Sequence, residues 1–434
     1  MVSAREPIAF APRSPSSFRG FSEAHTLRDN ALWSIAGIGS YAVAQWGVVV
    51  LLAKLGTPTM VGQVALGLAI GAPVFLFANL RLRAVLATDA AEKHRLSDYL
   101  AVRLATSAIG MLAVAAIALL EGGDRQTRSV ILWIGIAKLM ESGSDLSYGL
   151  WQRAERMKRI AISQMARGVL SVVLVAGLLA ATGSAGWASA GLAVGWALVL
   201  LVHDLPQSAE LLGGFRAAAD RLKPIWNAGG FRRLLWLTLP LGLASMLASL
   251  NINIPRYFIE HELGQSELGK FGALSYIGIA SNLLVNGIVD SGAAKLGRDR
   301  ASGQNRAFGV SLLKLFAPVL VISVAGILAA FCFGSQILTV LYTPAYAART
   351  SLLVLLMVTA AVTNIASILS QALIAVGRFK TNLIALVLAV VVTASACVWL
   401  VPIYGLDGAA VATALGMAAM AILAGVKVWR GIRS

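Results

Sequence analysis

About twelve apolar stretches, each long enough to span a bilayer, follow one another along this chain with short polar breaks between them. A hydrocarbon core about 30 Å thick takes roughly 20 helical residues to cross, so stretches of this length read as transmembrane helices. With 58% of residues hydrophobic and only 13% charged, a water-soluble fold has too little polar surface to cover the rest. Lipid is therefore the solvent. The spans fall near 31–53, 62–80, 99–120, 129–150, 160–181, 185–203, 234–255, 269–292, 309–331, 350–372, 381–401 and 405–426. Backbone groups in hydrocarbon must be satisfied within each segment, which predicts an all-α integral membrane protein.

A net charge of +16 raises nucleic acid as a partner, so the placement of the charge matters. With a cytoplasmic amino terminus, the inner segments hold 26 of the 36 Lys and Arg, and the outer loops hold 6: Lys54, Arg125, Arg128, Arg256, Lys270 and Arg349. The other 4, Arg103, Lys138, Arg167 and Lys314, fall inside spans. This asymmetry is the positive-inside rule, and it accounts for the basicity through orientation, with both termini cytoplasmic. No nucleic-acid partner is needed.

Residues 1–28 carry Pro7, Pro12, Pro15 and several Ser and Arg without the apolar core of a signal peptide, and read as a disordered cytoplasmic tail. Cys332 and Cys397 sit in apolar surroundings, offer neither metal-ligand spacing nor a disulfide framework, and read as buried thiols. No cofactor is expected.

Residues 204–233 form the longest polar break, with Arg216, Arg221, Lys223, Arg232 and Arg233. Their apolar residues, among them Leu211, Phe215, Leu222 and Trp226, predict an amphipathic helix on the inner leaflet. The break separates residues 29–203 from 234–434, with six spans in each. A weak internal repeat agrees: LGTPTMVGQVAL at 55–66 and LGQSELGKFGAL at 263–274 match with one gap, each between the first and second spans of its half. Two related bundles in parallel repeat suit a transporter. Pro73, Pro240, Pro255 and Pro318 interrupt spans, and Gly67-x-x-x-Gly71 and Gly191-x-x-x-Gly195 invite close helix packing.

Ionisable groups at bilayer depth cost about 2.5–3.5 kcal/mol each, so each needs a partner, water or a task. On span four Lys138, Glu141, Asp145, Tyr148 and Gln152 recur at spacings of 3, 4, 3 and 4, which puts them on one helical face. Lys138 can pair with Glu141, leaving Asp145 without an opposite charge along the helix. The stripe is either an ion-pair seam between helices or the lining of a cavity. Arg103, Arg167 and Lys314 lie in other spans, and Arg81 and Arg83 end span two. Arg81, Arg83, Arg103 and Lys314 are near enough to span ends to snorkel; Arg167 and Lys138 lie deeper. Span eight adds Asn282, Asn286 and Asp290 at four-residue intervals, and span seven ends with Asn251 and Asn253 before Pro255. These carboxamides can bond sugar hydroxyls or backbone freed by the proline. Glu141, Asp145 and Asp290 are the candidates for coupling to an H+ or Na+ gradient.

Soluble-enzyme motifs fail. Gly37-Ile-Gly39-Ser-Tyr-Ala42 mimics a dinucleotide fingerprint inside a membrane span, and His261-Glu262 lacks a second zinc ligand at residue 265. No Walker lysine motif occurs, so the chain is not expected to act as an enzyme. A membrane-embedded glycosyltransferase would need a large catalytic loop, and the longest outer loop, about 256–268, is short, with Glu260, His261, Glu262 and Glu267.

The blocks NLRLRAV at 79–85, KLMESGSDLSYGLWQR at 138–153 and SLNINIPRYFIEHELG at 249–264, with the turn from Leu338 to Tyr346, resemble bacterial polysaccharide exporters. From about residue 30 onward the chain is similar to the Wzx-type lipid-linked oligosaccharide flippases of the multidrug/oligosaccharidyl-lipid/polysaccharide (MOP) exporter superfamily. The resemblance implies two six-helix bundles around a central cavity, working by alternating access in the bacterial inner membrane. It also implies an oligosaccharide substrate on a polyprenyl-pyrophosphate, and a polymerase among the pathway partners. A pyrophosphate needs cations in a low-dielectric groove, which Lys138 and Arg167 can offer, with Arg81, Arg83 or Arg103 nearer the entrance. The rival within the superfamily is a multidrug extruder of organic cations; span one carries Ser34, Tyr41 and Gln45 but no acid, which suits that rival poorly.

Overall fold

The computed structural model describes residues 27–89, 93–121, 123–223, 228–302 and 304–433; the side chains of Asn286 and Asp290 lie outside that description. The residues of the expected tail that precede Leu27 also lie outside it. The first half contains α1 (Leu27–Leu55), α2 (Pro58–Ala78), α3 (Leu96–Leu120), α4 (Arg125–Arg153), α5 (Met157–Thr182) and α6 (Ala185–Val199). The second contains α7 (Ala228–Leu263), α8 (Gln265–Ala301), α9 (Asn305–Leu341) and α10 (Thr350–Ala375). The last helix, Phe379–Arg433, is broken at Gly405 (φ 59°), giving α11 before the break and α12 after it.

Nine described helical segments are long and apolar enough to cross a membrane, the last of them containing both α11 and α12. The two most polar long helices, α4 and α8, fall short on composition, and they complete the set of twelve. Local signals fix the starts. Thr57 caps α2 by accepting from the Met60 N–H at 3.3 Å, with Pro58 at the first helical position, and Asp124 caps α4 by accepting from Thr127 N–H at 2.7 Å.

In the first half α1 packs on α5, α6 on α4 and α5, and α2 and α3 on α4. In the second, α10 packs on α8, α9 and the α11–α12 pair, which also receives α7. The halves meet along α2, which lies against α7 and α8. The end of the bundle holding the start of α1 is the basic end, and the turn between α7 and α8 marks the far end. Gly242 of α7 backs onto Phe77 and Leu80, and the Tyr257 hydroxyl donates to the Ala69 carbonyl, so α7 follows α2 along much of its length. At the far end α2 and α8 come closest. A Cβ on Gly62 would overlap the Gln265 carbonyl, and one on Gly269 the Pro58 carbonyl. The repeat noted in the sequence aligns these two glycines, and their contact is reciprocal. The small-residue pairs pack as expected, Gly67 on Ile134 and Gly191 on the Leu174 backbone.

Two expectations change, and two are refined. The outer loop near 256–268 is not a loop: α7 runs to Leu263 and α8 starts at Gln265, joined by Gly264 alone at φ 82°. Helices longer than the bilayer is thick absorb the polar residues, so Arg256 and Lys270 are helical. In the 204–233 segment a π-helical turn (Leu200–Asp204) leads into two short helices, Leu205–Leu211 and Phe215–Leu222, the second of them amphipathic; residues 224–227 lie outside the described residues. Cys397 is buried but Cys332 is exposed on α9. Lys314 is exposed at the basic end, where snorkelling places it, and lines a recess of about 670 Å³ with Lys295, Asp299 and Arg306.

Candidate functional site

The polar stripe of α4 is the centre of a network drawn from seven other segments. Lys138 Nζ lies 2.8 Å from Glu141 Oε2. Glu141 Oε1 also faces Arg167 of α5 at 3.6 Å, and Arg167 reaches Asp204 of the π-helical turn at 4.0 Å. Arg167 donates to the Tyr148 hydroxyl at 3.0 Å, and its guanidinium lies 5.9, 5.6 and 5.3 Å from the ring centres of Tyr41, Tyr148 and Trp196. Three aromatic faces and two carboxylates suit a planar, delocalised cation.

One helical turn toward the basic end, Asp145 accepts from Arg103 of α3 at 2.8 Å. Arg103 also donates to Asn79 and, at 3.1 Å, to Ser142. Arg83 approaches Asp145 at 3.9 Å and donates to Gln152 Oε1 at 3.1 Å. Its position follows from a sharp break after α2, where Leu80 and Arg81 adopt φ of 50° and 54° before the short helix Leu82–Thr88. Left-handed backbone at two bulky residues is strained. It turns Arg83 onto Gly149, where the absent side chain admits the Arg83 backbone.

The charges do not cancel. Arg83, Arg103, Lys138 and Arg167 face three carboxylates, Glu141, Asp145 and Asp204, a surplus of one positive charge. They also divide by access. Arg103 and Arg167 have side chains 3% exposed, whereas Arg83 is 33% and Lys138 19% exposed. From Val130 to Leu150 no residue of α4 is exposed, so the stripe lies on a stretch sheltered by its neighbouring helices. The site has a buried back and an open cationic edge. That edge can accept an anion; the back holds the edge in place.

The sequence-derived candidates separate accordingly. Lys138, Glu141, Asp145 and Arg83 share the open edge, and Arg103 and Arg167 back it. Arg103 does not snorkel, because its pairing with Asp145 holds it inside. Asp145 lacks a partner along α4 but receives two arginines across helices. Arg81 is exposed at the basic end. Asn251 lies inside the second half, its oxygen accepting from Thr393 at 2.7 Å and its amide nitrogen against the Met417 sulfur at 2.8 Å, so it ties α7 to α11 and α12 and is spent on packing. Asn253 bonds the Ser249 carbonyl at 2.9 Å and Arg256 at 3.1 Å. Asn282 Oδ1 is buried and has no hydrogen-bond partner among the described residues. Asn286 and Asp290 fall outside the described side chains. Asn79, Ser142, Tyr41, Trp196 and Asp204 joined the site unforeseen. Each lies on another helix or outside the spacing pattern, so only the fold brings them together. Among the described residues no cluster of metal-ligating side chains was found.

A family model described as polysaccharide biosynthesis protein matches residues 27–292. The capsular polysaccharide biosynthesis protein CapF of Staphylococcus aureus is 26% identical over 374 residues, 85% of this chain and 91% of that protein. Among solved structures, an inward-facing multidrug resistance MATE family transporter of the MOP superfamily superposes with a TM-score of 0.72 at 14% identity, over 92% of this chain and 98% of that one. The lipid II flippase MurJ in an inward closed conformation gives 0.71 at 15% identity, over 93% and 88%. These two likenesses speak for the fold: a multi-pass membrane protein with the architecture of transporters. The sequence match spans more than half of the chain, and the chain belongs to the polysaccharide biosynthesis protein family.

Proposed function

We propose that this protein flips a polyprenyl-pyrophosphate-linked oligosaccharide across the bacterial inner membrane by alternating access, supplying exopolysaccharide or lipopolysaccharide synthesis. One observation carries the reading: an enclosed, net-positive cluster on the most sheltered stretch of α4, with Arg83 and Lys138 at its accessible edge. A diphosphate is the anion that repays such a site, because charge-assisted bonds strengthen in a low dielectric. The lipid tail stays in the bilayer while the headgroup passes between the halves. The basic end is cytoplasmic under the positive-inside rule, with both termini on that side. The delivered glycolipid would be the substrate of a polysaccharide polymerase.

An organic-cation antiporter is less well supported. It needs a carboxylate available to a cation, and Glu141, Asp145 and Asp204 each already face arginine or lysine. Coupling to H+ or Na+ would run through Glu141 or Asp145, the acids at the open edge, or through Asp290.

The test is flipping of a short-glycan polyprenyl-diphosphate in reconstituted vesicles. Arg83→Gln with Lys138→Gln should reduce the rate at least tenfold while the protein stays inserted and monodisperse. Wild-type flipping by the double variant would overturn the reading. The same vesicles with and without a pH or sodium gradient decide the coupling, and gradient-independent flipping unchanged in Glu141→Gln and Asp145→Asn removes it.

A further inference from the structure

Arg256 lies on α7 directly after Pro255, 7% exposed, and belongs to no part of the site above. One guanidinium nitrogen donates to Asn253 Oδ1 at 3.1 Å, and Nε is buried with no hydrogen-bond partner among the described residues. Arg103 and Arg167 are as deeply buried, yet each faces a carboxylate. Among the described residues Arg256 has no ion-pair partner, not even Glu260 one turn along the same helix. Stripping a guanidinium of water without a counter-ion costs several kcal/mol. A fold retains such a group for a task.

Packing does not require it. The repeat that aligns Leu55-Gly56 with Leu263-Gly264 puts Val48 at the corresponding place in the first half, and Val48 is buried at 6% exposure. The same backbone position is thus filled by a valine in one half and by an unpaired arginine in the other.

The surroundings hold Arg256 ready for an anion. Ser249, Asn253 and Arg256 follow one another at four- and three-residue steps on one face of α7, all buried. The Asn253 amide nitrogen donates to the Ser249 carbonyl at 2.9 Å and to its hydroxyl at 3.3 Å, which turns the Asn253 oxygen toward the guanidinium. The neighbouring Tyr257 donates to Ala69 of α2, so Arg256 sits one residue from the seam between the halves. At about 1.5 Å per residue, Arg256 lies about 12 Å below the far-end turn at Gly264. By the same measure Lys138 lies about 20 Å below the start of α4, and Asp145, which Arg83 approaches, about 30 Å. The cations therefore form a descending series across the membrane, with Arg256 nearest the far side.

We propose that Arg256, supported by Asn253 and Ser249, is a second anion site that takes the diphosphate of the substrate when the halves part at the far end. It rests on the flippase reading and assigns the residue that receives the headgroup after Arg83 and Lys138 release it. The planar guanidinium can hold two phosphate oxygens at once.

The experiment uses the full chain in phospholipid vesicles with one glycan on a polyprenyl diphosphate or a polyprenyl monophosphate. Arg256→Met should leave the melting temperature unchanged or higher, because an unpaired buried charge is removed, yet slow diphosphate flipping at least tenfold. Arg256→Lys should keep part of the rate. Wild type should prefer the diphosphate, and Arg256→Met should lose that preference. Wild-type rate and preference in Arg256→Met would overturn the second site alone. A melting temperature that falls in Arg256→Met and recovers in Arg256→Lys together with flipping would assign Arg256 a structural role and also overturn it. Vesicles in which the wild type flips neither lipid defeat the flippase reading itself.

Discussion

Asp145 accepts from Arg103 at 2.8 Å and lies 3.9 Å from Arg83, and the two arginines differ in access, 3% against 33% exposed. The first pair is structural and the second is open. Arg103→Met leaves Asp145 without its close partner and should lower stability by on the order of 3 kcal/mol, the low end for breaking a buried pair. Arg83→Met should cost under about 1 kcal/mol, as exposed pairs do. Replacing Arg103 and Asp145 together with Met and Leu should recover most of the loss. Denaturant unfolding in detergent measures all three.

Glu121 ends α3 at the far end, and its burial, then Glu260 of α7, raise its carboxyl from the ordinary 4.5 to about 7. Where the two helices separate or unfold, the proton leaves near 4.5. The packed form therefore binds the extra proton between pH 4.5 and 7 and becomes less favoured as pH rises through that window, with the loss complete above 7. Melting temperature should fall between pH 5 and 7.5, and Glu121→Gln should flatten the profile. An unchanged slope in that variant would contradict the assignment.

Gly62→Ala places a methyl group against the Gln265 carbonyl, where main chain cannot yield as a side chain does. It should prise α2 from α8 at the far end. In a Cys332→Ser background, a Ser266→Cys probe should label faster from the far side once Gly62 is alanine, and Gly269→Ala should act alike.

Asn251→Ala removes bonds to Thr393 and Met417 inside the second half. A loss of about 1–2 kcal/mol of stability is expected, with flipping per folded molecule retained. Reduced flipping at unchanged stability would return Asn251 to the list of cavity residues.

Most of the fold is legible in the sequence because lipid imposes a simple rule, one apolar helix per crossing. Helix ends were harder to read. Polar residues such as Glu260 and Arg256 suggest a loop by composition, while Gly264 alone makes the turn. The 3, 4, 3, 4 spacing on α4 brought out Lys138, Glu141 and Asp145 because a helix face is a local property. Which cation meets which acid is not local. Arg103 and Asp145 are on different helices, Asp204 comes from a π-helical turn with no sequence signature, and the aromatic faces around Arg167 come from α1, α4 and α6. The deep position of Arg167 was readable; its enclosure was not.

The sheltered stretch of α4 has a consequence for biogenesis. A helix with Lys138, Glu141 and Asp145 near its middle is expensive to leave alone in lipid, at about 2.5–3.5 kcal/mol for each charge. Arg167, the counter-charge of Glu141, is synthesised after it, and so is Asp204, which faces Arg167 in turn. The nascent helix must therefore wait, held by the insertion machinery or by α2 and α3, until the ribosome has delivered the rest of the first half.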